Sequence, residues 1–74
     1  ILITSQLRSA MIFNKSIKSS NYTLETINKK IYIFGIAMND DERKTVLDEA
    51  EKIYDVKEVI PTIYLVSELS RNKI

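Results

Sequence analysis

Two neighbouring segments with strand periodicity, separated by Asn28-Lys29, constrain the fold of this chain more than any other feature. In residues 22–27, Tyr22, Leu24 and Thr26 alternate with Thr23, Glu25 and Ile27, and residues 31–37 (IYIFGIA) are almost continuously apolar. Both patterns are typical of strands. Because Asn tolerates positive φ, Asn28-Lys29 can close a two-residue turn, so the sequence predicts a β-hairpin.

A two-residue turn at this position also fixes the register, with Ile33 opposite Leu24 and Gly35 opposite Tyr22. One face of the hairpin then carries the residues expected in the core, which are Tyr22, Leu24, Thr26, Ile31, Ile33 and Ala37. The opposite face, together with the last strand, carries Ile27, Tyr32, Phe34, Ile36, Ile60, Tyr64 and Val66. An exposed apolar face of this kind typically marks an interface, whereas a slip of one residue would exchange the two faces.

Helical periodicity flanks the hairpin on both sides. The first apolar stripe predicts a helix over about residues 2–13 and consists of Ile3, Leu7, Ala10 and Met11. Asn39 followed by Glu42 is a capping box that begins a second helix, which is expected to end near Asp55. The stripe of this second helix consists of Val46, Leu47, Ala50, Ile53 and Tyr54.

A last strand is predicted over about residues 58–66, where Pro61 requires an edge position or a bulge. Residues 67–74 are predicted to form a loose C-terminal tail, so the domain is expected to cover residues 1–66. The order helix, strand, strand, helix, strand predicts an α+β domain, with a three-stranded mixed sheet and two helices on one face. Because the sequence begins at Ile1 rather than Met, we expect it to be a piece of a longer protein, and no signal sequence is visible in it.

Composition argues against catalysis. The 74 residues contain no His and no Cys, which removes the usual base near neutral pH and any thiolate metal site. A chain this short also has little room for a deep pocket. We therefore predict no enzyme activity, no cofactor and no metal. Asp40, Asp41 and Glu42 are interpreted as helix capping and dipole compensation rather than as a cation site.

The spacing of the apolar residues resembles the BON domain, a family named for bacterial osmotic-stress and nodulation proteins. The family pattern is an apolar strand ending in Leu-x-Gly, an Ala-containing helix, and Val-x-x-Val before the final strand. The matching residues here are Ile31, Ile33, Gly35, Ala50, Ile53, Val56, Val59, Ile63 and Leu65. Two family glycines are replaced, one near Asn28 and Lys29 and the other by Asp55, and Asn and Asp tolerate left-handed backbone best among other residues.

The opening segment, with Ile3, Leu7, Arg8 and the run at residues 17–21, resembles the second domain of dual-BON outer-membrane lipoproteins. The resemblance implies a periplasmic, outer-membrane-associated module without enzyme activity, which binds anionic phospholipid and contributes to envelope integrity. The expected partners are therefore an anionic phospholipid membrane surface and, for the apolar sheet face, a second BON domain or a second copy of the chain.

The first helix and its flank carry the residue types that a lipid contact needs, which are apolar side chains for insertion and cations for anionic headgroups. The candidate lipid-binding residues are Leu2, Arg8, Ile12, Phe13, Lys15 and Lys18. The alternative is that Ile12 and Phe13 complete a small core and the lysines are solvated. Gly35 is assigned a structural role, in which a helix packs directly on the sheet, rather than close approach of a ligand.

The alternative function is protein–protein interaction through the apolar sheet face, with Ile27, Tyr32, Phe34, Ile36 and Tyr64 as the interface. A third hypothesis is nucleic-acid binding, because Tyr32 and Phe34 near Lys29 and Lys30 resemble a base-stacking platform. The net charge of only +1 and the acidic second helix oppose it. We therefore expect no nucleic-acid partner.

Overall fold

The hairpin around Asn28-Lys29 is present, with the predicted register. In the computed structural model, which describes residues 2–70, strands β1 (Tyr22–Ile27) and β2 (Lys30–Ala37) pair in antiparallel fashion. Asn28 and Lys29 have φ angles of 52° and 65°, the left-handed conformation that type I′ turns require at both central residues. The predicted pairs are confirmed for Tyr22–Gly35 and Leu24–Ile33.

The remaining elements complete an α+β domain. The helices are α1 (Ile3–Phe13), α2 (Asp40–Glu51) and α3 (Val66–Ser70), the last strand is β3 (Glu58–Leu65), and a 3₁₀ turn (Ser19–Asn21) precedes β1. β3 runs parallel to β2, which gives the strand order β1-β2-β3. The predicted three-stranded mixed sheet is therefore confirmed, and Pro61 lies in an edge strand where its missing N–H costs no ladder hydrogen bond.

The core lies between α1, α2 and one face of the sheet. Its buried residues are Leu7, Met11, Ile17, Tyr22, Leu24, Ile31, Ile33, Ala37, Val46, Ala50 and Ile63. A hydrogen bond of 2.6 Å between the hydroxyls of Thr4 and Thr26 ties α1 to β1. The predicted arrangement of both long helices on one sheet face is confirmed, and five of the six residues predicted to face inward are buried.

The second helix ends earlier than predicted. It stops at Glu51, where the N–H groups of Lys52 and Ile53 bond to carbonyls three residues back and tighten the last turn. Asp55 then adopts a φ of 72° and turns the chain toward β3. Tyr54, which the apolar stripe assigned to the core, is consequently 81% exposed.

The segment predicted as a loose tail begins with a helix. Val66, predicted as the last strand residue, opens α3. The Glu68 carboxylate accepts a 2.8 Å hydrogen bond from the Leu65 backbone N–H, which is one half of a capping box and stabilises this short helix. Ile1 and residues 71–74 of the predicted domain and tail lie outside the described residues.

Glu42 joins three parts of the chain from a buried position. Its carboxylate accepts hydrogen bonds from the backbone N–H of Met38 (2.8 Å), the backbone N–H of Lys18 (3.0 Å) and the hydroxyl of Tyr22 (3.0 Å). The predicted N-cap is also present, since the Asn39 side chain accepts from the Glu42 N–H at 2.9 Å. The Glu42 carboxylate, however, bonds to Met38, Lys18 and Tyr22 instead of returning to Asn39 as in a standard capping box.

These contacts determine how the buried groups titrate. Burial by itself would raise the pKa of Glu42, but the hydrogen bonds from Met38, Lys18 and Tyr22 outweigh it and lower that pKa. Burial, reinforced by the neighbouring Glu42 carboxylate, raises the pKa of the Tyr22 hydroxyl. Tyr22 therefore remains a hydrogen-bond donor, and Glu42 remains an ionised acceptor, throughout the neutral range.

Gly35 has a structural role, but the group that approaches it is not a helix. A Cβ at this position would lie 2.6 Å from the Asn21 carbonyl oxygen and closer still to the ring of Tyr22. Tyr22 is the cross-strand partner of Gly35, and its ring lies where a side chain would otherwise stand. The missing side chain thus makes room for the tyrosine that bonds to Glu42.

The two positions where the BON pattern has glycine lie side by side. Lys29 and Asp55 both have positive φ, and their side chains form an ion pair of 3.3 Å. The Lys29 carbonyl also accepts a 2.8 Å hydrogen bond from the Lys57 N–H. This end of the sheet therefore holds residues with a Cβ in a backbone conformation that favours glycine.

The Lys29→Gly variant is expected to be more stable than the parent domain by about 1 kcal/mol, because left-handed backbone costs a residue with a Cβ ~1–2 kcal/mol. The lost ion pair offsets little of this, since both partners are exposed. The midpoint of thermal unfolding, followed by circular dichroism, should rise by about 4 °C or more. Lys30→Gly is the matched control, because Lys30 begins a strand and glycine weakens strands; a fall for both variants would contradict the expectation.

Candidate interaction surfaces

The C-terminal end of α1 presents apolar side chains to solvent. Ile12 is 60% exposed and Phe13 is 84% exposed, so neither residue completes the core. Lys15 and Lys18, in the loop that follows, are also exposed. These four residues, here called the α1 tip, are the part of the predicted lipid-binding set that the structure brings together.

Carboxylates of α2 hold the loop of the α1 tip. The Asn14 side chain donates a 3.0 Å hydrogen bond to Glu49 and accepts one of 3.0 Å from the Ser16 N–H. At the other end of the loop, the Lys18 N–H donates to Glu42. The backbone that carries the two lysines is therefore fixed at both ends, while both lysine residues remain exposed.

Met38, which directly follows the last residue of β2, belongs to the same end of the domain. It is 60% exposed and lines one shallow depression together with Lys15 and Lys18. Its position directly before the Asn39 cap is the signal that could have indicated exposure, because a chain entering a helix cap turns away from the sheet. Asp41 also lines this depression, so the local charge is mixed.

Two of the predicted lipid-binding residues lie apart from the α1 tip. Leu2, which is 75% exposed, lies on the same helix face as Phe13 but about 16 Å away along the axis. Arg8 points about 140° away from Phe13 around the helix. Its guanidinium donates to the carbonyl oxygens of Ser19 (3.3 Å) and Tyr22 (3.4 Å), which makes it an anchor between α1 and the start of β1.

The second candidate surface is the sheet face opposite the helices, here called the outer sheet face. Cross-strand neighbours form rows across it, and those rows are Ile27–Lys30–Glu58, Glu25–Tyr32–Ile60, Thr23–Phe34–Thr62 and Ile36–Tyr64. Ile27, Phe34 and Tyr64 are about half exposed, and Ile36 is 37% exposed. The five predicted interface residues therefore do share one face, whereas Val66 belongs to α3.

The charges of the outer sheet face lie on its first two rows. Lys30 and Glu58 are neighbours on β2 and β3 and form an exposed ion pair of 3.8 Å. Glu25 lies on the edge strand β1 beside Tyr32. The remaining rows are apolar or carry threonine hydroxyls, so the centre of the face is uncharged.

The acidic residues at the start of α2 make contacts within the helix and its cap. Asp40 forms ion pairs with Arg43 and Lys44, and the hydrogen bonds from Arg43 and then Lys44 lower the pKa of its carboxyl. Within residues 2–70, no group of three or more His, Cys, Asp or Glu side chains is arranged to hold a metal ion. The predicted capping interpretation of Asp40, Asp41 and Glu42 agrees with these contacts, to which Glu42 adds its buried role.

Among the described residues, no helix combines the length and the hydropathy that crossing a bilayer requires.

Comparison with known proteins identifies the domain. The family model for the BON domain matches residues 2–65, which covers α1 to the end of β3. The chain belongs to the BON domain family. BON domains are non-catalytic binding modules with generally envelope-associated, phospholipid-binding or interaction roles, and proteins that contain them are typically envelope or periplasmic proteins.

The domain is also similar in sequence to a curated relative. This BON domain is 32% identical over 63 residues to a protein of Anaplasma centrale described as an uncharacterized protein in the gshII 5′ region. The match covers 85% of the chain but 42% of the relative. The chain therefore spans less than half the length of this relative.

Proposed function

We propose that this BON domain binds anionic phospholipid surfaces through the α1 tip, as a non-catalytic module on the periplasmic side of the outer membrane that contributes to envelope integrity. The observation that carries the proposal is the 84% exposure of Phe13 at a helix end flanked by two exposed lysines. Apolar insertion next to cations is the combination that interfacial lipid binding requires.

The geometry favours a shallow contact. Phe13 and Ile12 stand at the end of a helix that buries Leu7 and Met11 in the core, so they can enter the headgroup region without uncovering the core. The loop held by Glu42 and Glu49 presents Lys15 and Lys18 at the same end with little backbone entropy left to lose on binding.

The energetic terms predict weak and reversible binding. Insertion of Phe13 contributes ~2 kcal/mol, and each lysine near an anionic leaflet contributes ~1 kcal/mol. Asp41 beside the lysines opposes part of that attraction. Binding should therefore depend on anionic lipid and fall with salt, because the Debye length is about 10 Å at 0.1 M ionic strength.

Co-sedimentation with vesicles of phosphatidylcholine, with and without phosphatidylglycerol, tests the proposal. We expect the domain to sediment only with the anionic vesicles. Lys15→Glu combined with Lys18→Glu should reduce the bound fraction at least tenfold, because the attraction of two cations becomes repulsion. Phe13→Ser should reduce it several-fold, because the inserted area is lost.

A charge-matched control is available on the exposed side of α2. Lys44→Glu combined with Lys52→Glu makes the same change in net charge at residues that the proposal places away from the membrane. This variant should keep most of the binding. Equal loss in both double variants, or parental binding that is insensitive to phosphatidylglycerol, would contradict the α1 tip as the contact.

A further inference from the structure

We propose that the outer sheet face is a self-association surface, on which a second copy of this chain packs face to face. This inference does not rest on phospholipid binding, because it uses the opposite side of the sheet from α1. Its starting observation is that Phe34, Ile36 and Tyr64 are exposed by 46%, 37% and 54%, although the domain buries a complete core elsewhere. A contiguous apolar face of this kind typically marks an interface.

The charges of the face argue against an anionic partner. Lys30 is the one cation on the face within residues 2–70, and it is already paired with Glu58. Glu25 stands beside Tyr32 and would repel phosphate groups. A phospholipid surface or a nucleic acid would therefore find no free cation here, whereas a second copy of the same face brings an uncharged centre to an uncharged centre.

The strand register indicates how two copies can stack. A two-fold axis along the row Thr23–Phe34–Thr62, with the strands of the two copies antiparallel, sets Phe34 against Phe34 of the second copy. The same operation sets Tyr32 and Ile60 against Ile36 and Tyr64 of the second copy. The two Lys30–Glu58 ion pairs then lie at opposite ends of the stack, so like charges do not meet and no ion pair is buried at the centre.

The size of the outer sheet face limits how strongly two copies can associate. Three strands about 4.8 Å apart, one of six residues and two of eight, give a footprint of at most roughly 14 by 26 Å, smaller than the ~800 Å² per partner of a standard interface. The pair is therefore a weak dimer built like a small β-sandwich with sheets about 10 Å apart. Its dissociation constant should be on the order of 100 µM.

Sedimentation velocity at protein concentrations below and above that value tests the inference. The weight-average sedimentation coefficient of the parent domain should rise toward that of a dimer. Phe34→Ser should remain monomeric, and Phe13→Ser, the same substitution at the α1 tip, should behave like the parent. Tyr64→Ser on the edge strand provides a second disrupting variant if Phe34→Ser unfolds. A monomeric parent at all concentrations, or equal loss in the Phe13 and outer-face variants, would overturn the inference.

Cross-linking tests the proposed axis. The chain has no Cys, so each engineered cysteine is unique. Thr23→Cys lies on the axis row and should give a covalent dimer with a short bis-maleimide. Glu51→Cys, exposed at the end of α2, is the control and should give little. Efficient cross-linking of Glu51→Cys with none at Thr23→Cys would show that a different surface associates.

Discussion

The Glu42→Ala variant is expected to be largely unfolded in neutral buffer. Alanine leaves the Tyr22 hydroxyl and the N–H groups of Met38 and Lys18 without the acceptor that they share. The buried Tyr22 hydroxyl without a partner costs ~1–3 kcal/mol, and the two partly buried N–H groups add smaller costs. A domain of 74 residues has a stability of only a few kcal/mol, so the sum approaches the whole of it.

Urea unfolding followed by far-ultraviolet circular dichroism measures this effect. Asp41→Ala is the matched control, because it removes an exposed carboxylate from the same helical turn and should cost less than ~1 kcal/mol. Similar midpoints for the two variants would mean that the Glu42 contacts contribute nothing beyond helix capping.

The same contact predicts a pH window. The pKa of Glu42 is lowered in the folded state, so protonation favours the unfolded state. The contribution of the carboxylate is complete above the unfolded Glu pKa of about 4.3 and is lost as the pH falls through the lower, folded value. The stability advantage of the parent domain over Glu42→Gln should therefore shrink as the pH is lowered below about 4.3.

The Gly35→Ala variant is expected to lose ~3 kcal/mol or more, above the usual cost of overpacking. The new methyl group meets the backbone carbonyl of Asn21 at 2.6 Å, and that carbonyl cannot move without distorting the start of β1. The ring of Tyr22 must move as well, which breaks its hydrogen bond to Glu42. The free energy of unfolding from urea titrations measures the loss.

A double-mutant cycle separates the two parts of this effect. Tyr22→Phe alone removes the hydroxyl that bonds to Glu42 and should cost about 1–2 kcal/mol. In the Gly35→Ala background that bond is already broken, so Tyr22→Phe should cost much less. Strictly additive losses would mean that Gly35 and Tyr22 act independently, contrary to the close approach of the tyrosine ring.

The sequence predicts those parts of the fold that depend on local chemistry. Asn28 at a two-residue turn, alternation in β1 and the apolar run of β2 are sufficient for the hairpin and its register, because turn length determines which residues face each other. Asn39 likewise predicts the start of α2, because capping acts over three residues. The exposure of the outer sheet face follows from the same register.

Contacts between distant segments could not be predicted in this way. The bonds that Glu42 accepts from Lys18 and Tyr22 span 24 and 20 residues, and the local pattern assigned this carboxylate only to a capping box with Asn39. Arg8 has the charge expected of a lipid-binding residue, yet the packing of α1 directs it to backbone carbonyls. The sequence predicted a structural role for Gly35, in which a helix packs against it. Which group actually approaches Gly35 depends on where the Tyr22 ring packs.

The sequence carries only weak signals for the start of α3 and for the end of α2. Glu68 stands three residues after Leu65, which is the spacing of a capping box, but leucine is a poor N-cap residue. Tyr54 continues the apolar stripe of α2 although the helix has already ended. The cap from Glu68 determines that a helix follows Leu65. The left-handed conformation of Asp55 determines that the chain turns away from α2.

A tryptophan placed at the α1 tip tests the central claim most directly. The chain contains no Trp, so Phe13→Trp reports on one site, and Tyr54→Trp is a control at a side chain of similar exposure (81% against 84%). With phosphatidylglycerol vesicles, the emission of Phe13→Trp should shift to the blue and be quenched by brominated lipid, while Tyr54→Trp should not change. An unshifted Phe13→Trp beside a blue-shifted Tyr54→Trp would contradict membrane contact through the α1 tip.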